Sequence, residues 1–141
     1  MIDDPDAFFD TNILFYAARG RIDDHAKWQV AYGMLSMNFG TSGQVLAEFY
    51  VNTTKKKKKG GVPLLPAEAN KWIALLLRKP FVPVDAAIVR QGMANAQNYG
   101  ISYWDGAIIA AAERLGCKTL YTEDLNHGQT YGSVRAVNPF L

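Results

Sequence analysis

Apolar and polar positions along the chain fall into short continuous runs separated by stretches of helical period. Ala7-Phe8-Phe9 is an uninterrupted apolar run ending at Asp10, the pattern of a buried strand. Asp10-Thr11-Asn12 then supplies side chains suited to a helix N-cap, and Ile13, Leu14, Tyr16 and Ala17 recur at helical spacing as far as Arg19-Gly20, where the helix is expected to stop. A second helix is predicted from about Asp23 to Met37, with Ala26, Val30, Met34 and Met37 on its apolar face. Asn38-Phe39-Gly40-Thr41 reads as a turn into a very short strand. Thr41-x-x-Gln44 reads as a capping box for a helix over roughly Gly43 to Thr53, and Lys55 to Gly61 breaks the period as a loop.

Pro66-Ala67-Glu68 opens the next helix, with Trp72, Ile73, Leu76 and Leu77 as its apolar side. Phe81-Val82-Pro83-Val84 reads as a strand whose proline suits a sheet edge or a strand end, because proline has no amide hydrogen to give the ladder. Asp85 caps a helix running to about Asn98. Ser102 to Leu115 carries the clearest helical pattern, with Ile108, Ile109, Ala112 and Leu115 inward and Gly116 as the residue that ends it. Lys118–Tyr121 and Val134–Val137 read as strands, and Asn138-Pro139 ends the order. Strands alternating with helices predict an α/β fold, a parallel sheet covered by helices on both faces, as one domain over residues 1–141 without internal repeats.

Composition changes this picture little. The chain has 141 residues, 49% of them hydrophobic and 20% charged, in the ordinary range for a globular protein. No apolar run approaches the ~20 residues that span a bilayer, and the acidic start, Met1 to Asp6, lacks the basic opening of a signal peptide, so a cytoplasmic location is expected. Cys117 is the sole cysteine; it can form no internal disulfide and reads as a small buried hydrophobe. A net charge of +2 does not argue for nucleic acid. Its distribution is more informative: acids gather in Asp3–Asp10, Asp23–Asp24 and Asp105–Asp124, and bases in Lys55–Lys59 and Arg78–Lys79. An acidic pocket beside a separate basic strip suits a polyanion held against bound metal ions.

Ligands of open parallel sheets bind beyond the carboxyl ends of the strands. Asp10 ends the first strand, Asp124 lies just past Leu120-Tyr121, Asp105 sits in the first turn of one helix and Glu48 in the second turn of another, so all four are expected on one edge of the sheet. Clustered carboxylates repel unless a cation neutralises them. An oxygen-only set favours Mg²⁺ or Mn²⁺, and no His/Cys spacing suggests zinc. Each acid also has a plainer reading. Asp10 suits an N-cap, Glu48 a solvated helix position (although Val45, Leu46 and Phe49 surround it), Asp105 the S-x-x-D box with Ser102, and Asp124 the turn at Asn126-His127-Gly128. A metal site explains all four with one cause. His25 and His127 read as surface helix and turn residues.

In order along the chain, Phe8-Phe9-Asp10-Thr11-Asn12-Ile13-Leu14, Ser42-Gly43-Gln44-Val45-Leu46-Ala47-Glu48-Phe49-Tyr50, Ser102-Tyr103-Trp104-Asp105-Gly106-Ala107-Ile108-Ile109 and Thr122-Glu123-Asp124-Leu125, then Val137-Asn138-Pro139-Phe140, resemble the motifs of PIN-domain nucleases, and within them the VapC toxins of VapBC toxin–antitoxin pairs. The resemblance implies a PIN-like three-layer fold with about five short parallel strands, and an endoribonuclease whose metal-binding acids are Asp10, Glu48, Asp105 and Asp124. It implies two Mg²⁺ or Mn²⁺ ions during catalysis, one activating water and one stabilising the leaving 3′ oxygen. Thr11, Asn12, Ser102 and Thr122 would orient the acids or the substrate; Glu123 adjoins Asp124 and could share or replace its role, a choice that the sequence leaves open. A small VapB-like antitoxin and a homodimer are implied as well. Lys55–Lys59, Arg78, Lys79 and Arg135 are the candidate RNA contacts, although the five-lysine run matches no family motif and reads equally as a solvated loop. Two other readings stay open: a non-catalytic PIN-like module that binds RNA or protein, and an aspartate-nucleophile phosphatase. The second typically carries another Asp two residues after the first, where this chain has Asn12.

Overall fold

The computed structural model describes residues 5–56 and 61–141. In chain order the elements are β1 (Ala7–Phe9), α1 (Thr11–Asp23), α2 (His25–Met34), β2 (Phe39–Ser42), α3 (Gly43–Thr54), α4 (Pro66–Leu76), β3 (Phe81–Val82), α5 (Ala86–Tyr99), α6 (Tyr103–Arg114), β4 (Thr119–Tyr121), β5 (Thr130–Tyr131) and β6 (Val134–Val137). The sheet order is β3-β2-β1-β4-β6-β5. From β3 to β6 every pairing is parallel, as the alternating pattern predicts. The short β5 adds an antiparallel edge through Thr130↔Arg135 and Tyr131↔Val134. Two residues carry no period, so nothing in the sequence announces that strand.

The central position of β1 explains its unbroken apolar run, because a strand with neighbours on both sides and helices on both faces has no wet side. Phe8 and Phe9 are buried with Phe39, Leu120 and Ala136 of the sheet, Ile13 and Leu14 of α1, Val45 and Phe49 of α3, and Ile108 and Ile109 of α6. The Phe9 and Phe39 rings stack at 4.2 Å and 10°. Packing is closest between α5 and α6. A Cβ on Gly106 would lie 2.4 Å from the Gly92 carbonyl oxygen, so the missing side chain sets that approach.

Several local expectations are corrected. Helix α1 runs through Gly20 to Asp23, because that glycine is a packing residue and not a stop: a Cβ there would sit 3.1 Å from Trp28 Cβ of α2. Helix α2 ends at Met34 and buries Ala31; Met34 and Met37 pack half-buried against the core as the spacing suggested, whereas Ala26 and Val30 are exposed, so only part of the expected face meets the core. Phe39-Gly40-Thr41 belong to β2, held between β1 and β3. With Thr41 in the strand, Ser42 caps α3 and its Oγ accepts from the Val45 amide at 3.3 Å. Leu77 is exposed beyond the end of α4, whose buried residues are Ala69 and Leu76. Pro83 follows β3 at the sheet edge, and Gly116 follows α6 with φ 74°, both as expected. Cys117 is buried. Among the described residues no helix is long and apolar enough to cross a membrane.

Candidate metal centre

Asp10 leaves β1 at the carboxyl edge of the sheet. Its amide still donates to Tyr121 O of β4 at 3.0 Å, so the backbone is fixed by the ladder, and its side chain caps α1. Both carboxylate oxygens are used: Oδ1 accepts from the Thr11 amide at 2.7 Å and Oδ2 from Thr122 Oγ1 at 2.8 Å. Thr122 continues β4, its own amide bonded to Val137 O at 3.0 Å, and its Oγ1 also accepts from the Asp124 amide at 3.0 Å. One threonine therefore orients two of the acids. Asn12 Nδ2 donates to Asp124 Oδ2 at 3.1 Å.

Asp105 enters from α6. Its amide donates to Ser102 Oγ at 3.1 Å, so Ser102 is the cap that the S-x-x-D spacing suggested. The Asp105 carboxylate meets the other acids: one oxygen each from Asp10, Asp105 and Asp124 lie within 4.8 Å of one another. Glu48 stands beside this triad and not in it. Its Oε2 accepts from Thr11 Oγ1 at 2.7 Å and its Oε1 from Gln44 Nε2 at 3.1 Å.

The electrostatics follow from this crowding. Asp10 is 5% exposed. Burial pushes its carboxyl up to about 7, with the charges of Asp124 and Glu48 adding to the rise and its two hydrogen bonds opposing it. Burial also raises Asp105, helped by Asp124 and Glu48, and raises Asp124, helped by Glu123 and Glu48. Asn12 Oδ1 is buried without a hydrogen-bond partner. Three convergent carboxylates, strained toward protonation, with an oxygen acceptor left over nearby, fit a hard divalent cation such as Mg²⁺ or Mn²⁺.

Glu123 is differently placed. It accepts from Tyr16 OH at 2.6 Å and from Lys27 Nζ at 2.8 Å, and Lys27 also donates to Tyr16 OH at 3.2 Å. A cation from α2 thus balances the acid next to Asp124. Glu123 raises the Lys27 ammonium, and burial, then Glu123, raises the Tyr16 phenol. The sequence placed Tyr16 only on an apolar stripe, and Lys27 carried no signal at all.

A cleft of about 350 Å³ opens over Asp10, Asp124, Glu48 and Glu123, lined also by Phe15, Tyr16, Asn52 and Lys55. Arg19 braces the segment that carries Asn52 and Lys55 from behind: its buried Nη1 donates to the carbonyls of Asn52 (3.3 Å), Thr53 (3.4 Å) and Lys55 (3.0 Å). Of the lysine run, Lys55 reaches the cleft, and Lys57 to Lys59 lie outside the described residues. Lys79 instead covers the Phe39 ring at 4.9 Å and lines a separate groove with Leu35, Trp72 and Leu75. His25 is exposed at the start of α2, and His127 Nδ1 accepts from the Asn138 amide at 3.0 Å in its turn, as expected of surface residues.

The fold has counterparts among known proteins. VapC20 of Mycobacterium tuberculosis, a sarcin–ricin loop cleaving toxin, is 19% identical, with a TM-score of 0.67 over 92% of this chain and 98% of that one. A toxin–antitoxin complex from Klebsiella pneumoniae gives 20% identity and a TM-score of 0.66 over 94% and 97% of the two chains. FitAcB from Neisseria gonorrhoeae gives 22% and 0.60 over 95% and 98%. At these identities the likeness is one of fold. No curated protein matches the sequence. A family model for the PIN domain matches residues 7–132, and the chain therefore belongs to the PIN-domain family.

Proposed function

We propose that this chain is a metal-dependent endoribonuclease, the toxin of a toxin–antitoxin pair. The observation that carries the nuclease reading is the convergence of Asp10, Asp105 and Asp124 oxygens within 4.8 Å at the carboxyl edge of the sheet. These three acids would hold Mg²⁺ or Mn²⁺, with Glu48 as a neighbouring negative charge. Bound there, the divalent cation supplies Lewis-acid activation of water toward phosphorus and stabilises negative charge on the leaving 3′ oxygen, so the products carry a 5′-phosphate and a 3′-hydroxyl.

The chain's own residues prepare that chemistry. Thr122 holds Asp10 and the Asp124 backbone in one arrangement, Thr11 holds Glu48, and Asn12 holds Asp124. Tyr16 and Lys27 engage Glu123, so it acts as a balanced neighbour and not as a ligand. Lys55 at the cleft offers a cation to a phosphate of the strand, which makes affinity fall with salt.

The toxin role rests on the toxin–antitoxin systems among the similar folds, and it brings a small antitoxin and a homodimer as proposed partners. A short upstream reading frame encoding a DNA-binding protein would support it. The activity is tested with labelled RNA and the purified protein. Cleavage requires Mg²⁺ or Mn²⁺, stops in EDTA, and is abolished in Asp10→Ala and Asp105→Ala variants that keep the wild-type circular dichroism. Wild-type rates in either variant would sink the assignment. Specific binding of RNA without any cleavage would favour a non-catalytic module.

A further inference from the structure

Beside the acid cleft lies a second, largely apolar groove of about 440 Å³, walled by Ala47 on α3, Val84 past β3, and Tyr103 and Trp104 in the first turn of α6. Trp104 is 62% exposed, which is unusual for so large an apolar surface. Its ring is not loose: it meets the Tyr103 ring edge to face, centroids 5.1 Å apart at 75°. Gln44 ties the two walls together, its Nε2 donating to Glu48 Oε1 at 3.1 Å and to Trp104 O at 3.2 Å. Gly43 lets the floor close, since a Cβ there would stand 3.3 Å from Val84 Cγ2.

Glu48 lines both the acid cleft and this groove. Trp104 also directly precedes Asp105, one of the three convergent acids. A single strand whose phosphodiester sits at the acids must lay a neighbouring nucleotide against an adjoining surface, and this groove presents an aromatic face with one amide at its junction. Unpaired bases are held by such stacking, and their edges by such amides.

We infer that the groove is a nucleobase subsite in which Trp104 stacks an unpaired base flanking the scissile phosphate and the Gln44 carboxamide oxygen, its two N–H groups being taken by Glu48 and Trp104, accepts from the polar edge of that base. The inference rests on the ribonuclease reading. It specifies a substrate unpaired at that nucleotide, with the duplex, where there is one, starting beyond it.

The test is fluorescence anisotropy of a labelled single-stranded decaribonucleotide, with Ca²⁺ in place of Mg²⁺, and of the same strand carrying one abasic residue at each position in turn. Trp104→Ala weakens binding of the intact strand roughly 5- to 150-fold, the range for losing one base–aromatic stack, and Trp104→Phe retains most of the affinity. At one abasic position the wild type loses a similar factor, and Trp104→Ala loses nothing further. Affinity of Trp104→Ala equal to wild type, absence of binding by either, or additive losses at every position would overturn the subsite, the first of these leaving the groove to an apolar protein segment. The same strand is then given Mg²⁺. Trp104-dependent binding without cleavage contradicts the nuclease reading alone, and cleavage indifferent to Trp104→Ala contradicts the subsite alone.

Discussion

Removing the charge of Asp10 while keeping its shape probes the site without any RNA. In Asp10→Asn the side-chain oxygen still accepts from the Thr11 amide, and the new amide faces Thr122 Oγ1, which has a second lone pair beside the one taken by the Asp124 amide. The fold is therefore expected to survive. The charge itself opposes folding in the metal-free protein, because burial pushes the Asp10 carboxyl from 3.8 up to about 7. That displacement of roughly 3 pH units corresponds to about 4 kcal/mol. The folded state binds the proton more tightly than the unfolded one. This stabilising contribution is therefore complete below the unfolded value of 3.8, declines as pH rises, and is lost above about 7. Urea unfolding in EDTA, from about pH 4 to about pH 8, should show the wild type losing roughly 4 kcal/mol relative to Asp10→Asn. Added Mn²⁺ should return about 2.7 kcal/mol to the wild type at a hundred times its Kd, and nothing comparable to the variant. Parallel pH profiles for the two proteins would refute the argument that Asp10 is a buried charge awaiting a cation.

Three further outcomes follow from the geometry. Gly106→Ala places a Cβ 2.4 Å from the Gly92 carbonyl oxygen, so α5 and α6 must part, at about 1–3 kcal/mol in urea unfolding; an unchanged midpoint contradicts the close packing. Thr122→Val removes the hydrogen bond to Asp10 and the acceptor for the Asp124 amide, and Mn²⁺ affinity by calorimetry should fall about 10–100-fold with the circular dichroism unchanged; wild-type affinity would show that Thr122 does not orient the acids. Lys27→Met breaks a partly exposed pair, so stability should change by less than about 1 kcal/mol. Loss of that cation should tighten Mn²⁺ binding, and weaker binding would contradict the view that Lys27 balances Glu123.

The parts of the fold legible in the sequence are those where burial is complete or a cap is local. Ala7-Phe8-Phe9 could be read because a central strand is apolar on both faces, and α6 because Ser102, its inward run and Gly116 mark start, face and end within one segment. The face of α2 is legible only in part: Met34 and Met37 meet the core at the expected spacing, but Ala26 and Val30 at the same spacing are exposed, and the buried residue is Ala31. Gly20 was misread because packing against Trp28, not backbone conformation, explains it. Within the site, the acids were visible as residue types at strand ends and helix starts. Their division of labour was not: the separation of Glu48 from the triad depends on Thr11 and Gln44, and that of Glu123 on Tyr16 and Lys27, 107 and 96 residues away in the chain. Apart from Gln44–Glu48, four residues apart on α3, spacing along one chain does not encode such pairs.

The central claim is that Asp10, Asp105 and Asp124 seat the catalytic divalent cation. The most direct measurement is an anomalous difference map from crystals of the protein soaked in Mn²⁺. The account predicts a manganese peak coordinated by oxygens of these three residues, absent from crystals of Asp105→Asn treated in the same way. A wild-type map without a peak among these carboxylates, from protein that cleaves RNA in the same Mn²⁺ solution, would contradict it.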